Sequence, residues 1–280
     1  MLSGFDHITL TCSSLDEAVA SHAALLGSAP TYRGVYPDLG TQSALFGFQN
    51  GLVELVGPLA NDERAAGLQQ LLSERGEGPY ALAFACEDAK VASQDLRNRG
   101  VRTTSPEEGS ARSADGIERT FATAELSPRA TRGISLLLVQ RNDASSLRGS
   151  MPKNDSALHA IDHIVVRTSN VEAAKQLYGK HLGLRLALER ELAGTQMLFF
   201  RSFGITLEVI EDKELSERDK IWGIAYRTCN IQAAHQRLQE AGVTVSDVRP
   251  GNKPGTRVLT VQNPPCGTPT LVIEDPARER

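Results

Sequence analysis

The chain repeats itself, and that restricts what it can fold into more than any other feature. Asp6-His7-Ile8 returns 156 residues later as Asp162-His163-Ile164. Gly40-Thr41-Gln42, with Phe46 and Glu54, returns 154 residues later as Gly194-Thr195-Gln196, with Phe200 and Glu208. The two offsets differ by two residues, so one short gap separates otherwise parallel halves, as in a gene duplication. A weaker repeat lies inside each half. Residues 167–174 are echoed by 227–234, and 7–12 align with 81–86. Four units follow, at 4–58, 79–140, 159–212 and 219–275. Residues 141–156 between the second and third are polar and rich in turn formers, which predicts a linker over 141–158 joining domains at 1–140 and 159–280.

Each unit carries the same order of signals. A short apolar or alternating strand comes first, as at 161–168. A polar cap then opens an amphipathic helix, as at 170–181 with Val171, Ala174, Leu177 and Tyr178 at helical spacing. A glycine closes it (Gly27, Gly100, Gly183, Gly242). Three more strand-like runs follow between turn residues; in the third unit they are 184–191, 195–200 and 205–210. The predicted class is α+β, built from four βαβββ modules.

Composition narrows function by exclusion. The four cysteines (Cys12, Cys86, Cys229, Cys266) are far apart and form no CxxC pair, against a thiolate zinc site or a disulfide scaffold. A net charge of −4 and 5% aromatic residues give no electrostatic or stacking case for nucleic acid or an anionic membrane. There is no GxGxxG, P-loop or GxSxG. The apolar runs are too short to span a bilayer, and the start leads directly into a strand-like run at 5–10, so a cytoplasmic location is expected. The expected partner is a small-molecule substrate, and a homodimer is compatible with this reading.

Asp-His-Ile on a first strand, a helix ending Leu177-Tyr178-Gly-Lys-His-Leu-Gly183, and Leu207-Glu208-Val209 on a last strand resemble a module of the vicinal oxygen chelate superfamily, the glyoxalase, bleomycin-resistance and extradiol-dioxygenase group. The resemblance covers essentially the whole chain, strongly in units one and three and weakly in two and four. It implies paired modules whose curved mixed sheets form half-barrels. It also implies that the first-strand His and last-strand Glu point into the cup as ligands for a divalent metal (Zn, Ni, Co, Mn or Fe). Gln42 and Gln196, with Phe46 and Phe200, are the candidate substrate-binding residues.

Period-two alternation puts His7 on one face with Thr9 and Thr11, and His163 with Val165 and Arg167. Glu54 interrupts an apolar row of Leu52 and Val56, and Glu208 stands between Thr206 and Ile210. A buried carboxylate needs a metal or a donor, yet a duplication copies structural residues as faithfully as catalytic ones. Units two and four offer Ala81 and Gly223 at the His position, and Leu137 and Val272 at the Glu position, with Glu274 two residues further on. That departs from the extradiol enzymes, which the resemblance would have draw ligands from the fourth unit. If neighbouring units pair, as short connections favour, each cup has one His and one Glu. If units one and three pair, His7, Glu54, His163 and Glu208 form a His2Glu2 metal site, and the ligand inventory favours this arrangement. Under it the metal polarises a carbonyl, and Glu54 or Glu208 moves a proton as in a lyase or isomerase. Ring-cleaving dioxygenation and metal-free sequestration of a small molecule remain as alternatives. Arg112, Arg119, Arg129 and Arg132, and separately Arg249, Lys253 and Arg257, fall in long loops expected at the cup mouths, where they could attract a carboxylate.

Overall fold

A computed structural model describes residues 2–60, 62–149 and 154–277. The first half runs β1 (Leu2–Thr11), α1 (Leu15–Leu26), β2 (Tyr32–Tyr36), β3 (Thr41–Phe48), β4 (Gly51–Pro58), α2 (Ala66–Arg75), β5 (Gly78–Cys86), α3 (Ala89–Asn98), β6 (Glu107–Ser113), β7 (Glu118–Glu125), β8 (Ser135–Arg141) and a single turn, α4 (Ala144–Leu147). The second runs β9 (Leu158–Thr168), α5 (Val171–Ala174, continued as a π-helical stretch over Lys175–His181), β10 (Arg185–Leu192), β11 (Thr195–Ser202), β12 (Ile205–Glu211), β13 (Lys220–Thr228), α6 (Ile231–Glu240), β14 (Arg249–Pro250), β15 (Arg257–Val261) and β16 (Thr270–Glu274).

The helices that follow the first strand of each unit begin alike. Ser14, Asp88, Asn170 and Asn230 are extended, and each side chain accepts the amide of the residue three positions on. That satisfies one of the donors a helix start leaves open. Gly27 ends α1 at φ 73°, a left-handed position that side chains resist.

The strands form two eight-stranded sheets, β1-β4-β3-β2-β6-β7-β8-β5 and β10-β11-β12-β9-β13-β16-β15-β14. First and last strands of each unit are parallel neighbours, as β1 with β4 and β9 with β12. First strands of adjacent units then pair antiparallel, β1 with β5 and β9 with β13. Unit one therefore pairs with unit two, and three with four. The expected pairing of one with three is corrected: short connections, which close local pairings at least entropic cost, decided the topology over the ligand count.

The two sheets end differently. The first closes into a barrel where β2 meets β6, Gly34 opposite Ser113. The second stays open between β10 and β14. Equivalent positions show why. Gly34 pairs with Ser43 on β3, and Arg190 holds the matching place opposite Met197 on β11. A Cβ on Gly34 would lie 2.8 Å from the Arg112 carbonyl oxygen, so β6 comes this close only because residue 34 is glycine. Likewise Gly47 matches Arg201. A Cβ on Gly47 would lie 2.1 Å from the Leu147 carbonyl oxygen. Here the segment read as a linker packs onto the barrel, with Leu147 buried against Leu45 and Leu52. Residues 150–153 of that segment lie outside the described residues. Two glycines allow one barrel to close and be covered; two arginines stand in their places where the other is open.

Between the sheets their outer faces and the helices share one core, including Phe5, Phe46, Phe48, Phe84, Tyr178, Phe200 and Tyr226. Phe48 from the first half stacks on Tyr226 from the second at 5.4 Å. Arg237 on α6 donates to the Ala24 and Leu25 carbonyls at the end of α1, at 2.6 and 2.9 Å, a cation placed on open carbonyls at the negative end of a helix. Arg237→Ala should therefore cost about 2 kcal/mol of unfolding free energy, read as a lower urea midpoint; an unchanged midpoint would show that this contact between the halves is energetically idle. Among the described residues no helix is long and apolar enough to cross a membrane.

Candidate functional site

The duplicated His–Glu pairs both form, but as two separate sites. Each arises because β1 with β4, and β9 with β12, run parallel in one register: Thr9 lies opposite Glu54 and Val165 opposite Glu208. Nε2 of His7 is 3.2 Å from Glu54, and Nε2 of His163 is 3.4 Å from Glu208. The four-ligand His2Glu2 site is thus corrected to two His–Glu pairs in different sheets.

The first pair is fully engaged. His7 Nδ1 lies 2.5 Å from Asp6, which pairs with Arg141 at 2.9 Å. Glu54 accepts the Tyr36 hydroxyl at 2.5 Å and the Thr9 hydroxyl at 3.2 Å. Burial, the largest single influence, works to neutralise both partners, but the surrounding groups together outweigh it: Glu54 and Asp6 raise His7 to about 9, and His7, Tyr36 and Arg141 lower Glu54 to about 2. This is an imidazolium–carboxylate pair inside a closed barrel, with its lone pairs spent on protein donors.

The second pair keeps the two residues and loses those donors. Leu192 stands at the position equivalent to Tyr36, and Val165 at that of Thr9. Without them burial dominates, and the Glu208 carboxyl is raised above its ordinary value even though His163 and Arg190 pull it down. Asp162 holds His163 Nδ1 at 3.0 Å, which turns Nε2 towards Glu208. The pair borders a cavity of about 760 Å³ on the concave face of the open sheet. Two rows cross its floor, Arg201, Thr206 and His163, then Phe199, Glu208 and Val165, with Ile210 beyond them. Leu188, Arg190, Trp222, Arg249 and Lys253 stand around them.

Other expected residues fall elsewhere. Phe46 and Phe200 are in the core on the opposite face of their strands. Gln196 is exposed and, by the same alternation, shares the outer face with Phe200, as Gln42 shares it with Phe46, its amide donating to the Pro58 carbonyl at 3.3 Å. Phe199, not Phe200, lines the cup. Arg119 stacks on Tyr32 and pairs with Asp143, Arg132 pairs with Asp219, and Arg257 with Glu274. Arg249 and Lys253 do reach the cup, while Arg112 lies on β6 in the closed barrel. Arg190, Phe199 and Trp222 were missed from the sequence; the 156-residue offset aligns Arg190 with Gly34, which would have marked it.

The donor set does not fit a resident metal. Among the described residues no three His, Cys, Asp or Glu side chains gather as ligands, whereas a catalytic metal ordinarily takes three. Gly223 lies on the cup wall where the resemblance would place a second His, and a Cβ there would be 2.6 Å from the Pro269 carbonyl oxygen. Glu274 is turned away, accepting the Ile231 amide at 2.8 Å at the start of α6.

Comparison with known proteins agrees with the fold. A model of the glyoxalase-like domain matches residues 5–182, and one of the glyoxalase/bleomycin resistance protein/dioxygenase superfamily matches 160–277. No curated protein matches the chain. A mutant of 4-hydroxymandelate synthase from Streptomyces coelicolor superposes with a TM-score of 0.72 at 17% identity, over 98% of this chain and 92% of that one. A hypothetical protein from Staphylococcus aureus does so with a TM-score of 0.69 at 12% identity, over 98% and 100%. At these identities the likeness is one of fold. With the modules, the strand order and the family matches in agreement, the chain belongs to the glyoxalase-like proteins of the vicinal oxygen chelate superfamily.

Proposed function

We propose that the C-terminal cup is the working site of a lyase or isomerase that moves a proton on a small oxygenated substrate, and that the N-terminal pair is structural. One observation carries this: Glu208 has lost the two hydroxyl donors that saturate Glu54 and faces a cavity instead. A carboxyl raised by burial, 3.4 Å from an imidazole that a second carboxylate orients, can take a proton from carbon or oxygen and return it. Asp162 holds the His163 ring so that Nε2 lies 3.4 Å from the Glu208 carboxyl. Since only two donors converge among the described residues, every step is assigned to these side chains and none to a metal. Ring-cleaving dioxygenation, which the resemblance ties to a further His, loses support at Gly223.

The test is exchange of substrate C–H protons with deuterated solvent, followed by NMR over a set of small 2-oxo and 2-hydroxy acids. Exchange by the wild-type protein that Glu208→Gln abolishes supports the reading. Exchange that survives in Glu208→Gln ends it. The missing third donor also favours a second reading, metal-free sequestration, for which binding without any exchange is the expected result.

A further inference from the structure

We propose that the cup takes a monocarboxylate carried on an apolar body, its carboxylate held by Arg190 and its body lying on Phe199 and Leu188. The inference rests on the reading that the C-terminal cup is the binding site. It names the ligand's chemistry, which that reading leaves open.

Arg190 has no carboxylate at ion-pair distance among the described residues, its charge reaching Glu208 only at longer range. Its Nε is shut off from solvent and has no hydrogen-bond partner among the described residues. Its guanidinium lies over the Phe199 ring, 5.3 Å from the ring centre, a contact that uses none of its N–H groups. By contrast Lys253 is paired with Asp275 at 2.5 Å, and Arg201 donates to Thr206 at 2.7 Å. A rigid guanidinium with open donors is the side chain suited to two carboxylate oxygens at once. Its position reinforces the point. Arg190 replaces the glycine that lets the sister barrel close, so the same residue keeps this cup open and equips it for an anion.

The charge around it limits the ligand. Four cations (Arg190, Arg201, Arg249, Lys253) face three carboxylates (Asp162, Glu208, Asp275) across the cavity, an excess of one. A monoanion is balanced; a phosphate dianion would be left facing Glu208 and Asp162. Most of the remaining wall is apolar. Leu188 is 49% exposed, a large aliphatic side chain left open beside Phe199, with Val165 and Ile210 on the floor. Free carboxylate alone would leave that surface wet.

Trp222 makes the experiment direct, because it is the only tryptophan of the chain and it lines the cup. We would titrate the full chain with 3-phenylpropanoate, 3-phenylpropanamide, propanoate and phenyl phosphate, following Trp222 fluorescence alongside calorimetry. The expected result is one 3-phenylpropanoate per chain with a fluorescence change, and binding at least ten-fold weaker for the other three probes. Arg190→Gln should weaken the acid ten-fold or more and leave the amide unchanged; Arg190→Lys should restore part of the loss. If the acid and amide bind equally, if phenyl phosphate wins, if Arg190→Gln changes nothing, or if no probe binds, the carboxylate assignment is overturned while the cup remains the candidate site. Binding seen by calorimetry with Trp222 silent would instead overturn the cup itself.

Discussion

Glu54→Ala should lower the unfolding free energy by about 3–5 kcal/mol, while Glu208→Ala at the equivalent position should change it by less than about 1 kcal/mol. Removing Glu54 leaves an imidazolium in a closed barrel and frees the buried Tyr36 and Thr9 hydroxyls together. Glu208 lacks those two donors, and burial already raises its carboxyl, so its loss strands little. Urea unfolding of both variants at pH 5.5 measures the contrast; equal losses would mean that the two pairs do the same job.

The same pair sets a pH window. His7 is raised from 6.5 to about 9, so its contribution is full below pH 6.5 and disappears as the pH climbs through about 9, where the folded chain gives up its extra proton. Glu54 is lowered from 4.5 to about 2, so its contribution is full above pH 4.5 and is lost as the pH falls through about 2. The interaction they share is therefore complete between pH 4.5 and 6.5, and Glu54→Ala should flatten both shoulders of the wild-type stability profile.

The larger functional effect is expected at Glu208. Glu208→Gln keeps shape and volume, so the fold should survive, but an amide cannot take a proton. Loss of a positioned acid–base group ordinarily costs about 10²–10⁴-fold in rate, and exchange of substrate protons should fall by that factor. Because burial raises the Glu208 carboxyl, the acid limb of the wild-type profile should lie above an ordinary glutamate's 4.5. Asp162→Asn should give a smaller loss, since its assigned role is to orient His163 rather than to take the proton. A Glu208→Gln rate within two-fold of wild type would remove the carboxylate from the mechanism.

Much of the fold was legible in the chain. The duplication, the order of strand, helix and three strands, the polar caps and the parity of His7, His163, Glu54 and Glu208 are local matters, written in periodicity and turn chemistry. The site was only half legible. Gln42, Gln196, Phe46 and Phe200 repeat as faithfully as the His–Glu pairs, yet they serve the shared core and the outer faces of their strands. Repetition records what the ancestor of both halves needed, and a core is needed in each. What separates the halves lies where repetition fails: Gly34 against Arg190, Gly47 against Arg201, Tyr36 against Leu192, Thr9 against Val165.

Four βαβββ modules and two inward-facing His–Glu pairs can be read from the chain alone, because backbone periodicity and strand parity are properties of short segments. Which modules share a cup, which sheet closes, and which carboxylate is left without hydroxyl donors depended on strands far apart in the chain meeting edge to edge. Those contacts turn on single backbone approaches, such as β6 reaching Gly34 or Pro269 reaching Gly223, and only the tertiary structure sets them.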